Sequence, residues 1–171
     1  MTQTAVVVTF TSTCGTTETL AHAAAIGTVN ARTLPRLRRL ADGSRTAPPE
    51  CADALRRLER EYVPPTEADI AGAPALIVVP SAGMTPASAA WRPFLEMLDR
   101  LAASGALAGK VAAVIDAGDG NTVAGFTSAL AAHGFVVIAA DGADARTHGR
   151  RVGERASAQV NHGSGAASTQ R

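Results

Sequence analysis

AVVVTFTSTCGTTETL, from Ala5 to Leu20, is the stretch that decides how this chain folds. Ala5 to Phe10 is a short, continuous apolar run rich in β-branched residues, the pattern of a strand buried on both faces of a parallel sheet. A helix is expected from about Thr17 to Ile26, with Gly27 as its stop. Between strand and helix, five hydroxyl residues (Thr11, Ser12, Thr13, Thr16, Thr17) surround Gly15. Their hydroxyls and the free backbone N–H groups converge at a helix N-terminus, where the dipole favours an anion. Gly15 lets the chain turn tightly with its amide facing inward. A phosphate dianion suits such a loop. The competing reading is a plain helix cap, although a cap needs only one Ser or Thr. The loop lacks the Gly-Lys-Ser/Thr ending of a nucleotide-triphosphate loop, which argues against ATP or GTP chemistry.

Outward from this stretch, strands and helices alternate. Residues 28–34 form a weak candidate for a second strand, and residues 35–50 read as a loop. Pro48-Pro49 opens a helix that runs to about Tyr62, with Leu55, Leu58 and Tyr62 at helical spacing. Ala75 to Val79 is a buried strand closed by Pro80, and a helix is expected from about Ser88 to Ala103. Lys110 to Ile115 is the next strand, and the helix after it ends at His133-Gly134. Phe135 to Ala140 is the last strand, followed by a helix from about Ala143 to Val160. One domain over residues 1–160 is expected, with a small, polar, disordered tail at 161–171. The alternation implies right-handed βαβ units, hence a three-layer α/β sandwich with a five-stranded parallel sheet in the order 2-1-3-4-5. A ligand would then lie beyond the carboxyl ends of the strands, against the loops 11–17, 80–87 and 116–122.

Composition narrows the function classes. The chain has 171 residues, 46% hydrophobic and 18% charged, with a net charge of +1. So weak a charge offers no field to draw in nucleic acid or an anionic membrane. No stretch reaches the roughly 18–20 apolar residues of a membrane span. With strand-like residues already at the start, a signal peptide is not expected and the cytoplasm is. Cys14 and Cys51 make neither a disulfide framework nor a zinc site, and no metal site is expected. Cys14 reads as a small loop residue or, being at a helix start, a reactive thiol. The arginines at 36, 38, 39, 56, 57 and 60 are interleaved with acidic residues and read as a solvated face.

Ser12-Thr13-Cys14-Gly15-Thr16-Thr17 resembles the flavodoxin phosphate fingerprint, with Cys14 in place of its middle threonine. Ala68-Asp69, Pro80-Ser81, Arg92-Pro93-Phe94-Leu95, the run Ala103-Ser104-Gly105-Ala106-Leu107-Ala108-Gly109-Lys110, and Leu130-Ala131-Ala132-His133-Gly134 follow the same order and approximate spacing as one branch of that family. On these residues the chain resembles the Trp-repressor-binding-protein type of NAD(P)H:quinone oxidoreductase. The resemblance implies a flavodoxin-like fold, FMN as cofactor, NAD(P)H as hydride donor, a quinone-like acceptor and a homodimer or homotetramer. It assigns the phosphate to Ser12, Thr13, Cys14, Gly15, Thr16 and Thr17, and the edge of the flavin ring to Pro80, Ser81, Ala82 and Gly83. Asp116, Ala117, Gly118, Asp119 and Gly120 would line the ribityl chain and the pyrimidine edge, and His133 would be the catalytic histidine near the flavin.

The chain departs from that pattern in four places. The second loop, Ser81-Ala82-Gly83-Met84-Thr85, carries no aromatic residue, and Ala102 stands where the family has another. Trp91 and Phe126 could compensate from neighbouring helices, or simply pack in the core. The third loop carries Asp116 and Asp119, unfavourable beside a phosphate unless they face solvent; Asp119-Gly120 also suits a turn and Asn121 or Thr122 a helix cap. The family's long insertion after the last strand is absent. These departures support a second reading, a flavin-poor binding or scaffold subunit on the same fold.

Overall fold

The computed structural model describes residues 3–42, 46–115, 117–118 and 120–166. Strand β1 (Ala5–Thr11) leads into helix α1 (Thr16–Asn30), which leads into β2 (Leu34–Leu40). After a 3-10 turn at Pro49–Cys51 come α2 (Ala52–Glu61), α3 (Glu67–Gly72) and β3 (Ala75–Val79). The second half is α4 (Arg92–Ala103), β4 (Val111–Val114), α5 (Gly120–Ala132), β5 (Val136–Val137) and α6 (Ala145–Ala166). All strand pairs are parallel, in the order β2-β1-β3-β4-β5. This is the three-layer α/β architecture that the alternation of elements implies.

Each face of the sheet buries its own apolar cluster. Val7, Leu76, Val78, Ala112 and Val114 meet Trp91, Phe94, Leu98, Phe126 and Leu130 of the α4–α5 layer. Val6, Val8, Phe10, Ile77 and Ala113 meet Ala21, Ala24, Leu58, Val152 and Ala156 of the α1, α2 and α6 layer. Successive strand residues point to opposite faces, so strands buried on both sides read as unbroken apolar runs. Trp91 and Phe126 therefore belong to the core, their rings 4.8 Å apart and roughly edge-to-face.

Several sequence expectations shift. The second strand occupies Leu34–Leu40 rather than 28–34, because α1 continues to Asn30. As a sheet edge, β2 tolerates Pro35 and the arginines that make it look like a loop. Arg38 donates to Asp69 through two nitrogens, each at 2.9 Å, and Arg39 is buried. Of the face read as solvated, Arg36 and Arg38 instead tie β2 to α3. Asp69 also accepts from Thr66 N and Oγ1, completing a capping box at the start of α3. The Arg38 guanidinium holds the Asp69 carboxyl well below the usual carboxylate range.

Gly27 does not end α1. It is one of three glycines where α1 and α6 cross backbone against backbone: a Cβ on Gly27 would collide with the Arg146 carbonyl, and one on Gly149 with the Ala24 carbonyl. On Gly153 it would come within 2.7 Å of Ala31 Cβ. The last helix runs to Ala166, six residues past its expected end at 160 and into the segment expected to be disordered.

Gly149→Ala isolates the crossing. In an exposed helix this change adds roughly 0.5–1 kcal/mol of stability; here it should remove about 1–3 kcal/mol, the scale of overpacking. Thermal unfolding should show a Tm lower by several degrees.

Candidate functional site

In the parallel register Thr11 pairs with Leu40, Phe10 with Val79, and Val78 with Val114. The residues after β1, β3 and β4 consequently leave the sheet side by side at its carboxyl edge. Hydroxyls lace the first two loops together. Ser81 Oγ donates to Thr11 O at 2.9 Å, and Ser81 N donates to Thr11 Oγ1 at 3.0 Å. Since the Ser81 hydroxyl proton is committed to that carbonyl, its oxygen accepts from Thr17 Oγ1 at 3.1 Å. Pro80 leads into this junction from the end of β3.

The turn itself is set by Gly15, whose φ of 95° lies in the left-handed region where a side chain would be strained. Ser12 Oγ accepts from Gly15 N at 3.1 Å, and buried Arg39 donates to Ser12 O through Nε and a terminal nitrogen at 3.2 and 3.1 Å. Burial pulls the Arg39 pKa down, while Glu59 and Asp42 pull it up. Gly15, which has no side chain, occupies the N-cap of α1. Among the described residues the one well-placed serine, Ser12, accepts from Gly15 N and serves the turn, and the first-turn N–H groups of α1 face the loop. A cleft of about 270 Å³ opens here, lined by Ser12, Thr13, Cys14, Thr16, Thr17, Ser81, Ala82 and Ala117.

Behind the loop, Glu18 is 8% exposed and accepts from Arg57 at 2.9 and 2.6 Å and from Tyr62 Oη at 2.7 Å. The Arg57 hydrogen bonds are the main reason its pKa falls to about 2, with Tyr62 adding to them against the cost of burial. Burial, then the hydrogen bond to Glu18, raises the Tyr62 phenol. This Glu18–Arg57 pair flanks a second hollow of about 630 Å³, lined by Cys14, Gly15, Thr16, Glu18, Thr19, Leu20 and Arg57. The charge of Arg57 is thereby spent on Glu18 rather than on the mouth of the loop.

The structure brings together most of the expected site. Ser12, Thr13, Cys14, Gly15, Thr16, Thr17, Pro80, Ser81, Ala82, Gly83, Ala117, Gly118 and Gly120 all stand at this edge or in its loops, while Asp116 and Asp119 lie outside the described residues. Two expectations are corrected. The two cysteines are not free: Cys14 is bonded to Cys51, with Cα atoms 4.9 Å apart, because pairing β2 beside β1 brings the start of α2 over the first loop. His133 is not at this chain's site. It follows the C-terminal end of α5, and the neighbouring contact of Gly109 N with Gly134 O at 3.0 Å fixes it at the amino edge of the sheet. That is about one strand length, roughly 20 Å, from the phosphate loop. Its ring nitrogens face Ala129 O at 2.6 Å and Asp99 Oδ1 at 2.9 Å.

Reading the residues in isolation missed Arg39, Glu18 and Arg57 as supports of the loop. The run at 103–110 proves architectural: Gly105 and Gly109 take left-handed turns, and Lys110 Nζ donates to the carbonyls of Ile70, Ala71 and Ala73 at 2.5–3.0 Å. Among the described residues no group of His, Cys, Asp and Glu could hold a metal ion, and no helix is long and apolar enough to cross a membrane.

No family model matches the chain, and no curated protein matches it. Solved structures do. A WrbA-like flavodoxin from Agrobacterium tumefaciens superposes with a TM-score of 0.62 at 19% identity, covering 91% of this chain and 99% of that one. The two-electron reduced flavodoxin of Megasphaera elsdenii gives 0.59 at 13%, over 87% and 98%. A flavodoxin from the domain Archaea gives 0.57 at 17%, over 92% and 99%. The chain has the flavodoxin-like fold.

Glu18→Gln should separate the support from the site. It leaves hydrogen-bonded partners unsatisfied, so stability near pH 7 should fall by about 1–3 kcal/mol, while inorganic phosphate binds several-fold tighter at low salt because Arg57 keeps only Glu61 as an acidic partner beside the loop. In the unmodified protein the depressed pKa means that the contribution of Glu18 is complete above about pH 4.5 and is lost as pH falls towards 2. The variant's acid-unfolding curve should lack that component.

Proposed function

We propose that this chain binds FMN by its phosphate at Ser12–Thr17 and acts as a flavin-dependent oxidoreductase. The carrying observation is the uncapped, left-handed entry into α1, a preorganised acceptor-seeking helix end inside a hydroxyl-lined cleft. The fit differs along the ligand. At about 270 Å³ the cleft is near the lower bound of small-molecule pockets, roughly 300 Å³, and suits the phosphate and the start of the ribityl chain.

The N–H groups of Thr16 and Thr17 and the hydroxyls of Thr13 and Thr16 would donate to the phosphate oxygens. Ser12 accepts from Gly15 and keeps its own proton to donate. Thr17 and Ser81 fix the spacing of the two loops. Exposed Ala82 and Gly83 would border the ring without an aromatic stack. FMN, when bound, supplies the two-electron chemistry, and the protein supplies binding and orientation. From the family resemblance, NAD(P)H is the proposed hydride donor and a quinone-like molecule the acceptor, in the cytoplasm and in a homo-oligomer. No side chain of this chain's own site is needed as an acid or base.

One observation favours the second reading, a flavin-poor binding subunit: Trp91 and Phe126 are locked in the core and add no ring contact. Each missing aromatic contact weakens binding by about 0.5–1.5 kcal/mol. FMN titration decides between them. Binding at micromolar FMN that Thr16→Ala weakens roughly tenfold to hundredfold, the loss of one charge-assisted hydrogen bond, supports the proposal. No binding at millimolar FMN contradicts it.

A further inference from the structure

The Cys14–Cys51 bond is placed where an ordinary structural staple has little to do. Neither cysteine belongs to the two apolar clusters, which already hold both faces of the sheet. A chain of this size has core enough to fold without a staple. The bond instead joins the tip of the phosphate loop to the 3-10 turn ahead of α2, across 37 residues of sequence. Its two ends differ in access: Cys14 is exposed, whereas Cys51 is 9% exposed. Cys14 also borders three hollows around the loop, one of them of about 320 Å³ and shared with Thr13, Thr46 and Pro48.

We propose that Cys14–Cys51 is a thiol–disulfide exchange site whose substrate is a dithiol, and that its redox state sets the affinity of the phosphate loop for its anion. The second half rests on the phosphate-binding reading above. A thiolate of the dithiol attacks the accessible Cys14 Sγ, the bond between the two cysteines breaks, and Cys51 leaves as a thiolate that takes up a proton. The second thiol of the reductant then attacks its own sulfur in the mixed disulfide and releases Cys14. Two electrons pass from dithiol to protein, one proton ends on Cys51 and the other goes to solvent, Cys14 is released as a thiolate, and the reductant leaves as a disulfide.

Reduction changes the anion site in two ways. Cys14 immediately precedes the N-cap, and a helix N-terminus lowers a thiol's pKa, so the released sulfur is a thiolate that competes for the same N–H groups. The loop also loses its tether to the start of α2, so binding must order a freer segment. The oxidised form is the tighter binder. Linkage requires the converse: bound anion stabilises the bridge against reduction by the same factor.

The test uses the intact protein, oxidised or reduced with dithiothreitol, with thiol trapping and mass spectrometry to count free cysteines. FMN and inorganic phosphate are titrated into each form. The expected result is reduction of the folded protein at millimolar dithiothreitol and at least tenfold weaker binding afterwards. With saturating ligand the midpoint potential should fall by about 30 mV for each tenfold. Cys51→Ser, which leaves Cys14 unbridged, should bind like the reduced form, with circular dichroism checking its fold. A bridge that resists reduction until the protein unfolds, or equal affinity in both forms, overturns the proposal. Loss of FMN binding in both forms with phosphate still discriminating between them defeats the flavin reading and leaves this one standing. Failure of both ligands defeats both.

Discussion

The left-handed turn at Gly15 is the constraint on which the carboxyl edge of the sheet depends. It delivers β1 into α1 with, among the described residues, no side-chain cap on the N-cap glycine, and under the proposed function the first-turn amides are the ligand's donors. Such a turn is held only because its surroundings fix it. Ser12 Oγ takes the Gly15 amide, Arg39 takes the Ser12 carbonyl from below, Ser81 clamps Thr11 and Thr17, and Cys51 holds Cys14. Three other segments, β2, the loop after β3 and the 3-10 turn, thus converge on this loop. The polar groups most heavily used within the chain are the ones that aim those with an external task.

Charge is arranged with similar economy. Among the described residues two arginines lie near the loop, and neither presents a free guanidinium to the cleft: Arg39 is spent on Ser12 O and Arg57 on Glu18 and Glu61. In the proposed function, selectivity for an anion would rest on backbone N–H groups and hydroxyls, which have fixed geometry. A phosphate monoester on a small ligand fits that chemistry better than a polyanion, which would call for a field this chain of net charge +1 does not have.

The strong periodic and apolar signals were legible in the sequence. Ala5–Phe10, Ala75–Val79 and Lys110–Ile115 announce central parallel strands, and from them follow the strand order and the positions of the three loops. Edges and close packings were not legible. Arg36, Arg38 and Arg39 disguise β2 because an edge strand can spend charged side chains on partners distant in sequence, here Asp69 and Ser12. Gly27 has the composition of a stop, but its use is a helix crossing that involves Gly149, more than a hundred residues away. Local pattern carries no trace of such a pairing. Helix α3 did leave a signal, Thr66-x-x-Asp69, a capping box with Asp in the usual place of Glu. His133-Gly134 reads first as a helix end, a basic residue before a glycine cap, and only second as a histidine near the flavin, and the register of β4 with β5 places it at the amino edge. The bridge between Cys14 and Cys51 was invisible for the same reason: proximity of the two loops follows from β2 lying beside β1.

The central claim is that the amides at the start of α1 are the ligand's donors. Following backbone amide resonances by NMR while FMN, and separately inorganic phosphate, is added to the oxidised protein tests it most directly. The amides of Thr13 to Glu18 should shift together and saturate with one dissociation constant, with smaller shifts at Ser81 and Ala82. Shifts that leave those amides untouched and gather elsewhere, for instance around Arg146 and Arg150 at the start of α6, would contradict it.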